Sequence, residues 1–200
     1  MGQYYKVILL AENADPESEP DASPDTNPCA SPEIIRLAIS PYSYRQGAKL
    51  MEHSYIGNKL VNLVEYLISK GGPFYKSRIV WAGDYADSEG GDIRRNLYHV
   101  AGEREDWLLF SLPSGFDNAS LRYIVNHTTK QYVDKSKCNA DRSGLIIHPL
   151  PLLVSEGNGC GGGDYRGRND DMCGRWSRDY ISMETVIPGG FTELDTDFAE

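Results

Sequence analysis

The chain has 200 residues, and its 29 acidic side chains outnumber its 20 lysines and arginines, which gives a formal charge of −9. This excess of negative charge argues against general nucleic-acid binding, because phosphate recognition depends on clustered basic side chains. The length suits a single domain, 1–200, which is large enough to bury a hydrophobic core. No apolar run approaches the roughly 20 residues that a membrane-spanning helix needs, so we expect no membrane contact.

The sequence also indicates a reduced, soluble and cytoplasmic protein. Residues 1–6 lack the basic, apolar and cleavage regions of a secretory signal peptide. A disulfide framework is not expected, because the chain has only four cysteines and they are scattered: Cys29, Cys138, Cys160 and Cys173.

Two strands and an acidic insertion are predicted at the start of the chain. Residues 4–10 are rich in β-branched and aromatic side chains, and residues 34–39 resume this pattern, so the two segments are expected to pair as strands. Between them, residues 12–33 carry seven carboxylates, five prolines and no basic side chain. Such a composition buries too little apolar surface to order itself, and we therefore predict a mobile insertion in an enlarged hairpin loop.

The main predicted helix spans residues 58–70. Its apolar residues recur at helical spacing: Leu60, Val61, Val64, Leu67 and Ile68. Asn58 is a suitable N-cap, and the sequence Lys70-Gly71-Gly72-Pro73 is a strong stop signal.

The rest of the chain is typical of short strands separated by loops. Strands are predicted at 78–81, 108–112, 122–126, 131–134, 145–154, 175–184 and 191–194, with a polar loop at 83–106. Residues 122–126 and 131–134 are expected to form a tight hairpin. Pro149 and Pro151 are expected to bend or break the strand at 145–154. One main helix against about eight strands indicates a β-rich α+β domain, in which an antiparallel sheet is backed by the helix.

A glycine-rich loop follows these elements. Residues 156–167 contain six glycines, and each glycine costs roughly 0.5–1 kcal/mol relative to alanine in regular structure, so the cluster indicates a required backbone shape. No Lys-Ser/Thr pair follows, which excludes a P-loop. Gly157, Gly159 and Gly162 match the dinucleotide-binding spacing as a string, but the surrounding strand-helix-strand context is missing. The single Gly-Gly-Gly-Asp also lacks the tandem copies of a calcium β-roll.

Two interpretations of this loop stay open. The loop amides can form a backbone nest that holds an anion, with the help of nearby arginines: Arg166, Arg168, Arg175 and Arg178. Alternatively, the loop is a shaped surface turn, in which the arginines form local ion pairs with four aspartates. These aspartates are Asp164, Asp170, Asp171 and Asp179.

A short internal echo, Trp-x-x-Asp-Tyr, begins at Trp81 and again at Trp176. A strand that ends between the tryptophan and the aspartate buries the first and exposes the second, which is Asp84 or Asp179. Two such corners could converge on one pocket that offers indole platforms and carboxylates. The alternative is two buried tryptophans beside turn-forming aspartates.

Catalytic and metal-binding signals are sparse. No histidine pair has the spacing of a helical zinc site, and Cys160 and Cys173 lack a partner Cys-x-x-Cys, so no metal and no cofactor are predicted. The chain has no Gly-x-Ser-x-Gly nucleophile elbow. The acid–base candidates of an enzymatic interpretation are Glu156, Asp164, Asp84 and His148, and each is also common as a capping or turn residue.

Five short motifs stand out along the chain. They are MGQYYK at 1–6, KLMEHSYIGN at 49–58, WAGDYAD at 81–87, HPLPLL at 148–153 and GNGCGGGDY at 157–165. With these motifs the chain resembles a group of uncharacterised bacterial and phage proteins over nearly its whole length, except the acidic insertion. That group has no established activity. The resemblance therefore implies a microbial, cytoplasmic setting with a phage or mobile-element context, and it supplies no catalytic residues.

The leading interpretation is a non-enzymatic binding protein that holds a small anionic or nucleotide-like ligand. Its expected ligand-binding residues are Gly157, Asn158, Gly159, Gly161, Gly162, Gly163, Asp164, Tyr165, Arg166, Trp81, Asp84, Trp176, Arg178 and Asp179. Two alternatives stay open. One is a protein-interaction factor of the immunity, inhibitor or phage anti-defence type, which uses the acidic surface and some of the thirteen tyrosines. The other is a hydrolase that uses Glu156 or Asp164.

Overall fold

The computed structural model describes eight ranges of the chain: 3–11, 35–89, 95–102, 110–141, 143–158, 163–167, 169–196 and 198–199. The insertion predicted at 12–33 lies outside them. So do Gly159, Gly161 and Gly162 of the glycine-rich loop, together with Arg168.

A single sheet of eight strands organises the described residues. The strands are Tyr5–Leu10 (β1), Ile35–Ile39 (β2), Ser77–Gly83 (β3), Tyr123–Asn126 (β4), Gln131–Asp134 (β5), Ser155–Glu156 (β6), Tyr180–Glu184 (β7) and Thr192–Glu193 (β8). Their order is β2-β1-β3-β7-β4-β5-β8, and β6 pairs with the end of β3 that β7 leaves open. All pairs are antiparallel except β3–β6 and β5–β8. The structure is the β-rich α+β domain that the sequence predicts, with the expected pairing of β1 and β2.

Four α-helices accompany the sheet within the described ranges: Leu50–His53 (α1), Lys59–Leu67 (α2), Leu97–Gly102 (α3) and Pro149–Leu153 (α4). The main predicted helix is confirmed as α2. Asn58 caps it, because its side-chain oxygen accepts hydrogen bonds from the backbone N–H groups of Leu60 at 2.9 Å and Val61 at 3.4 Å. The helix ends before the predicted glycine stop, because the following turn brings Ser69 into a bridge with Met183 of β7.

The pairing of β1 with β3 places apolar layers on both faces of the sheet. On one face, Val7 is in register with Trp81, and this layer packs against the apolar side of α2. On the other face, Ile8 is in register with Val80, and α3 covers this layer. Both faces of these strands are therefore buried, which explains their nearly continuous apolar sequences.

Residues 145–154, which the structure describes throughout, do not form the predicted strand. Two isolated β-bridges precede α4, and β6 follows it. Proline suits the first turn of a helix, where its missing N–H is not needed, and Pro149 directly follows the cap residue His148. The Nδ1 atom of His148 accepts a hydrogen bond from the N–H of Leu150 at 3.1 Å, which fixes the start of the helix.

Three smaller differences from the predicted elements concern loops. The strand predicted at 175–184 begins only with β7, because the preceding residues form turns and Arg178 takes a left-handed backbone with a φ of 63°. The polar loop predicted at 83–106 contains α3. Residues 110–112 are not in a strand, and the first two residues of the strand predicted at 108–112 lie outside the described ranges. The hairpin of β4 and β5 is confirmed.

Candidate functional site

The glycine-rich loop packs closely against the start of β1. A Cβ atom on Gly157 would lie 2.5 Å from Oε1 of Gln3, and one on Gly163 would lie 2.6 Å from the hydroxyl of Tyr5. Gly163 also has a φ of 59°, a left-handed conformation that favours glycine. At these two positions glycine is needed because the loop backbone lies directly on the side chains of Gln3 and Tyr5.

The buried side chain of Gln3 holds the loop in place through hydrogen bonds. Its Oε1 atom accepts hydrogen bonds from the hydroxyl of Tyr5 at 3.0 Å and from the N–H of Asn158 at 3.3 Å. Its buried Nε2 atom has no hydrogen-bond partner in the described ranges. Burial raises the pKa of Tyr5, and the carboxylate of Asp164 raises it further, so this hydroxyl stays protonated and acts as a donor.

Three other residues of the loop hold its shape through hydrogen bonds, within the loop or with neighbouring segments. Asp164 accepts a hydrogen bond from the N–H of Met51 at 3.0 Å, in the first turn of α1. Arg166 donates to two carbonyl oxygens of the loop itself, at 2.9 and 2.7 Å. The buried Tyr165 donates its hydroxyl hydrogen to the carbonyl of Phe198 at 3.2 Å. These contacts support the interpretation of the loop as a shaped turn.

Arg178 belongs to an ion-paired network with two glutamates, which we name the Arg178 network. Its Nε and Nη2 atoms donate to the carboxylate of Glu156 at 2.5 and 2.8 Å, and its Nη1 atom donates to Glu89 at 2.9 Å. Ser177 donates a further hydrogen bond to Glu156 at 2.7 Å. The hydrogen bonds with Glu89 and Glu156 raise the pKa of Arg178 although burial acts to lower it. One guanidinium faces two carboxylates, so this arginine has no surplus charge for an anionic ligand.

The two Trp-x-x-Asp-Tyr segments bury their tryptophans in the same hydrophobic core. Both indole N–H groups donate to side chains within the fold, at 3.0 Å for Trp81 and 3.4 Å for Trp176. Asp84 accepts a hydrogen bond from a backbone N–H at 3.0 Å, and Asp179 accepts one from a side-chain amide at 2.7 Å. The tryptophans are therefore core residues, and the aspartates connect neighbouring segments of the sheet.

A different group of polar side chains meets at Glu65 of α2, whose side chain is only 1% exposed. Its Oε1 atom accepts hydrogen bonds from Nε2 of His148 at 2.8 Å and from Nζ of Lys135. Its Oε2 atom accepts one from Nδ2 of Asn118, also at 2.8 Å. Because Nδ1 of His148 accepts a backbone hydrogen bond, the ring proton is on Nε2 and the imidazole is neutral.

The pKa shifts in this group explain how its charges stay buried. Burial acts to raise the pKa of Glu65, but the interactions with His148 and then with Lys135 offset it and hold that pKa below its ordinary value. Burial lowers the pKa of His148 against the opposing effect of Glu65. At neutral pH the group therefore combines an ionised Glu65 with a neutral His148.

Glu65 and Lys135 form the charged floor of a cavity of about 510 Å³, which we name the Glu65 cavity. Its lining comprises Ile56, Gly57, Asn62, Glu65, Asn118, Ala119, Arg122, Lys135, Ser136, Cys138 and Ile146. A volume of this size accommodates a small organic molecule, and apolar walls around a few convergent polar groups are the usual composition of a ligand site.

Two smaller cavities, of about 270 and 310 Å³, also lie against the fold. The charged side chains in their linings, Lys59, Lys70 and Glu184, are all at least partly exposed. The Glu65 cavity differs because it contains charged groups that are buried. Buried, perturbed ionisable groups beside a cavity are typical of functional sites.

The sequence pattern singled out His148 but missed Glu65, Lys135 and Asn118. A signal for Glu65 exists, because it lies four residues after Val61 and therefore on the buried side of α2, where a carboxylate is unusual. No such signal marks Lys135, whose contact with Glu65 joins positions 70 residues apart. Only the tertiary structure brings these side chains together.

Among the described residues, no group of three or more His, Cys, Asp or Glu side chains is arranged to hold a metal ion. The helices in these ranges are all too short or too polar to span a bilayer. Comparisons with protein-family models, with curated proteins and with solved structures found no match.

Proposed function

We propose that the protein binds a small organic molecule in the Glu65 cavity and acts as a binding protein rather than as an enzyme. The observation that carries this proposal is a cavity of about 510 Å³ with a buried ion pair, Glu65–Lys135, in its floor. A buried ion pair contributes little net stability compared with apolar packing. Its position beside a cavity therefore favours a role in recognition.

The sequence predicts a small ligand at the glycine-rich loop. We propose a small ligand as well, but in the Glu65 cavity. An anion at the loop needs available donors, but Arg166 donates to loop carbonyls and Arg178 to two glutamates. Arg175 donates to the sulfur of Met172 at 3.3 Å. Close packing on β1 accounts for the described glycines that the sequence associated with ligand binding.

Binding is favoured over catalysis because the Glu65 group has little freedom to transfer a proton. The side chain of His148 is 1% exposed, and its two nitrogens bond to the N–H of Leu150 and to Glu65. Glu65 already accepts three hydrogen bonds. A general acid or base must reach its substrate directly or through one water. The Arg178 network restricts Glu156, the carboxylate of the hydrolase alternative, in the same way.

The proposed setting is the cytoplasm, and the proposed ligand is a small molecule rather than nucleic acid. The formal charge of −9 and the four scattered cysteines support this part of the proposal. Purification from the host followed by native mass spectrometry is the direct check, and a retained small mass is the expected result.

A cavity-filling variant tests the site itself. Ala119 is exposed at the wall of the cavity, so Ala119→Trp is expected to occupy the space without disturbing the core. A fragment library screened by protein-observed NMR should shift signals around the cavity in the wild type and leave them unchanged in Ala119→Trp. Thr129→Trp, in the exposed turn between β4 and β5, is the matched control and should bind like the wild type. Equal binding by Ala119→Trp, or no binding by the folded wild type, would contradict the proposal.

A second candidate function, a protein-interaction factor, is favoured by three exposed tyrosines. Tyr42, Tyr85 and Tyr4 are 63%, 49% and 42% exposed, and tyrosine is enriched at protein interfaces. The variant that combines Tyr42→Ser with Tyr85→Ser is expected to lose a stoichiometric partner that the wild type retains on purification from its host. Recovery of the same partner with both proteins would count against this candidate.

A further inference from the structure

Lys135 keeps unused hydrogen-bond donors inside the Glu65 cavity. Its side chain is 9% exposed, and its ammonium group has three N–H donors. Within the part of the chain that the structure describes, the acceptor in contact with this group is Oε1 of Glu65. A buried ammonium is stabilised by further acceptor oxygens, so a ligand in this cavity gains most from an oxygen acceptor placed at Lys135.

Glu65 sets the opposite limit on the ligand. Its carboxylate already accepts three hydrogen bonds, from His148, Lys135 and Asn118, and the charge of Lys135 balances its own. A cationic ligand would find a carboxylate with most of its acceptor sites occupied, and it would meet the ammonium of Lys135. The floor of the cavity therefore disfavours amines.

Arg122 adds a second positive group to the lining of the cavity. Its Nε and Nη2 atoms donate to Asp134 at 2.8 and 2.5 Å, whereas its Nη1 atom has no hydrogen-bond partner in the described ranges. The side chain is 48% exposed, so this donor is accessible to a ligand. Ile56 and Ile146 supply apolar contact elsewhere in the lining.

From these contacts, and resting on the proposed function, we infer that the ligand is an organic monocarboxylate with an apolar body. Its carboxylate binds the ammonium of Lys135 with help from Arg122, and its body contacts Ile56 and Ile146. A doubly charged phosphate fits less well, because Lys135 and Arg122 are already balanced by Glu65 and Asp134 and the walls are largely apolar. The charges and the apolar surface of the lining thus select a monoanionic amphipathic molecule.

Matched acids and amides test this inference directly. Hexanoate, benzoate and phenylacetate are compared with hexanamide, benzamide and phenylacetamide by calorimetry and saturation-transfer NMR, with hexylamine as the cationic probe. Because a charge-assisted hydrogen bond is stronger than a neutral one, each acid is expected to bind the wild type about tenfold more tightly than its amide. Hexylamine is expected to bind more weakly than hexanamide.

Two variants connect the preference to Lys135. Lys135→Met combined with Glu65→Gln removes both charges of the floor together, and it is expected to weaken the acid preference strongly, because only Arg122 is left to bind the carboxylate. Lys137→Met is the control, because Lys137 is two residues away, 61% exposed and paired with Glu193 instead. It should keep the preference of the wild type.

The outcomes separate this inference from the proposed function. Equal affinity of the wild type for acids and amides, tighter binding of hexylamine, or an undiminished acid preference in the double variant would overturn the inference. The proposed function would still stand if Ala119→Trp blocked that binding. If the folded wild type bound none of these probes but still bound fragments in the NMR screen, only the inference would be overturned; if it bound neither, both would be. The acid–amide comparison in the wild type does not depend on the folding of any variant.

Discussion

The Arg178 network and the Glu65 cavity both gather charged side chains, but they differ in burial and in their remaining hydrogen-bonding capacity. In the Arg178 network, Glu156 and Glu89 are 24% and 15% exposed, and the guanidinium donates through its three nitrogens to these two carboxylates. In the Glu65 cavity, the ion pair is almost fully buried and Lys135 still has donors to offer. The difference teaches that two ion-paired groups can differ in their capacity to bind a ligand. The Arg178 network uses its cation on its own carboxylates, whereas the buried ion pair at Glu65 keeps donors beside a cavity.

The largest expected effect comes from removal of the cation beside Glu65. Lys135→Met leaves a buried carboxylate without its counter-charge, and loss of one partner of a buried pair typically costs about 3–5 kcal/mol. Urea denaturation should report a loss of that size in the free energy of unfolding. Lys137→Met, which breaks only the exposed pair with Glu193, should change it far less, because solvent screens that pair. Similar losses in both variants would contradict the distinction between buried and exposed charge.

A smaller loss is expected from alanine in the glycine-rich loop. Gly163 and Gly190 both have a left-handed backbone, with φ of 59° and 82°, but only Gly163 has a side chain close to its missing Cβ, the buried Tyr5. Gly190→Ala should therefore cost about 1 kcal/mol for the backbone alone. Gly163→Ala should cost about 2–3 kcal/mol, because the clash with Tyr5 is added. Thermal and urea unfolding measure the difference, and equal losses would show that the loop does not press on β1 as described.

The pH dependence of stability should also differ between the Glu65 cavity and the Arg178 network. The pKa values of His148 and Glu65 are both lowered in the folded protein, from ordinary values of 6.5 and 4.5. Their contribution to stability is therefore complete above pH 6.5 and is lost as the pH falls, first through His148 and then through Glu65. The slope for each group is at most about 1.4 kcal/mol per pH unit. Arg178, whose pKa is raised, stays charged throughout this range.

His148→Asn isolates this contribution, because asparagine keeps a side-chain oxygen for the helix cap and does not titrate. Urea denaturation at pH 7.5, 6.5, 5.5 and 4.5 should give a flatter profile for the variant than for the wild type between pH 6.5 and 5.5. The pKa of the buried His53 is also lowered by burial. This histidine is present in both proteins, so its contribution to the pH dependence of stability is the same in each and does not affect the comparison. An identical slope in the two proteins would exclude His148 as a source of the pH dependence.

Local patterns predicted much of the fold because they depend on neighbouring residues. The β-branched and aromatic composition of β1, the spacing of α2 and its Asn58 cap are all encoded within a few positions. The segment at 145–154 was predicted wrongly, since its apolar run suits a buried strand or a buried helix equally well and Pro149 decides for the helix. Hydrophobic pattern alone does not make that choice.

The candidate site was less predictable because it is assembled from distant segments. His148 was identified from the sequence, and Glu65 carried a signal as a charge on the buried side of a helix. Lys135 and Asn118 carried no such signal, since lysine and asparagine are ordinary residues in surface loops. The glycine-rich loop attracted attention through its composition, yet the reason for Gly157 and Gly163 lies in Gln3 and Tyr5, more than 150 residues away in sequence.

The smallest expected effect is that of Glu156→Gln. Arg178 retains its hydrogen bonds with Glu89, and Glu156 is partly exposed, so the free energy of unfolding should change by no more than about 1 kcal/mol. Because Glu156 is not in the lining of the Glu65 cavity, the affinity for a carboxylate probe should stay at the wild-type value. Urea denaturation and calorimetry measure the two quantities on the same sample. A large loss of affinity at unchanged stability would return the ligand to the neighbourhood of the glycine-rich loop, and it would then be the buried charge at Glu65 that serves structure alone.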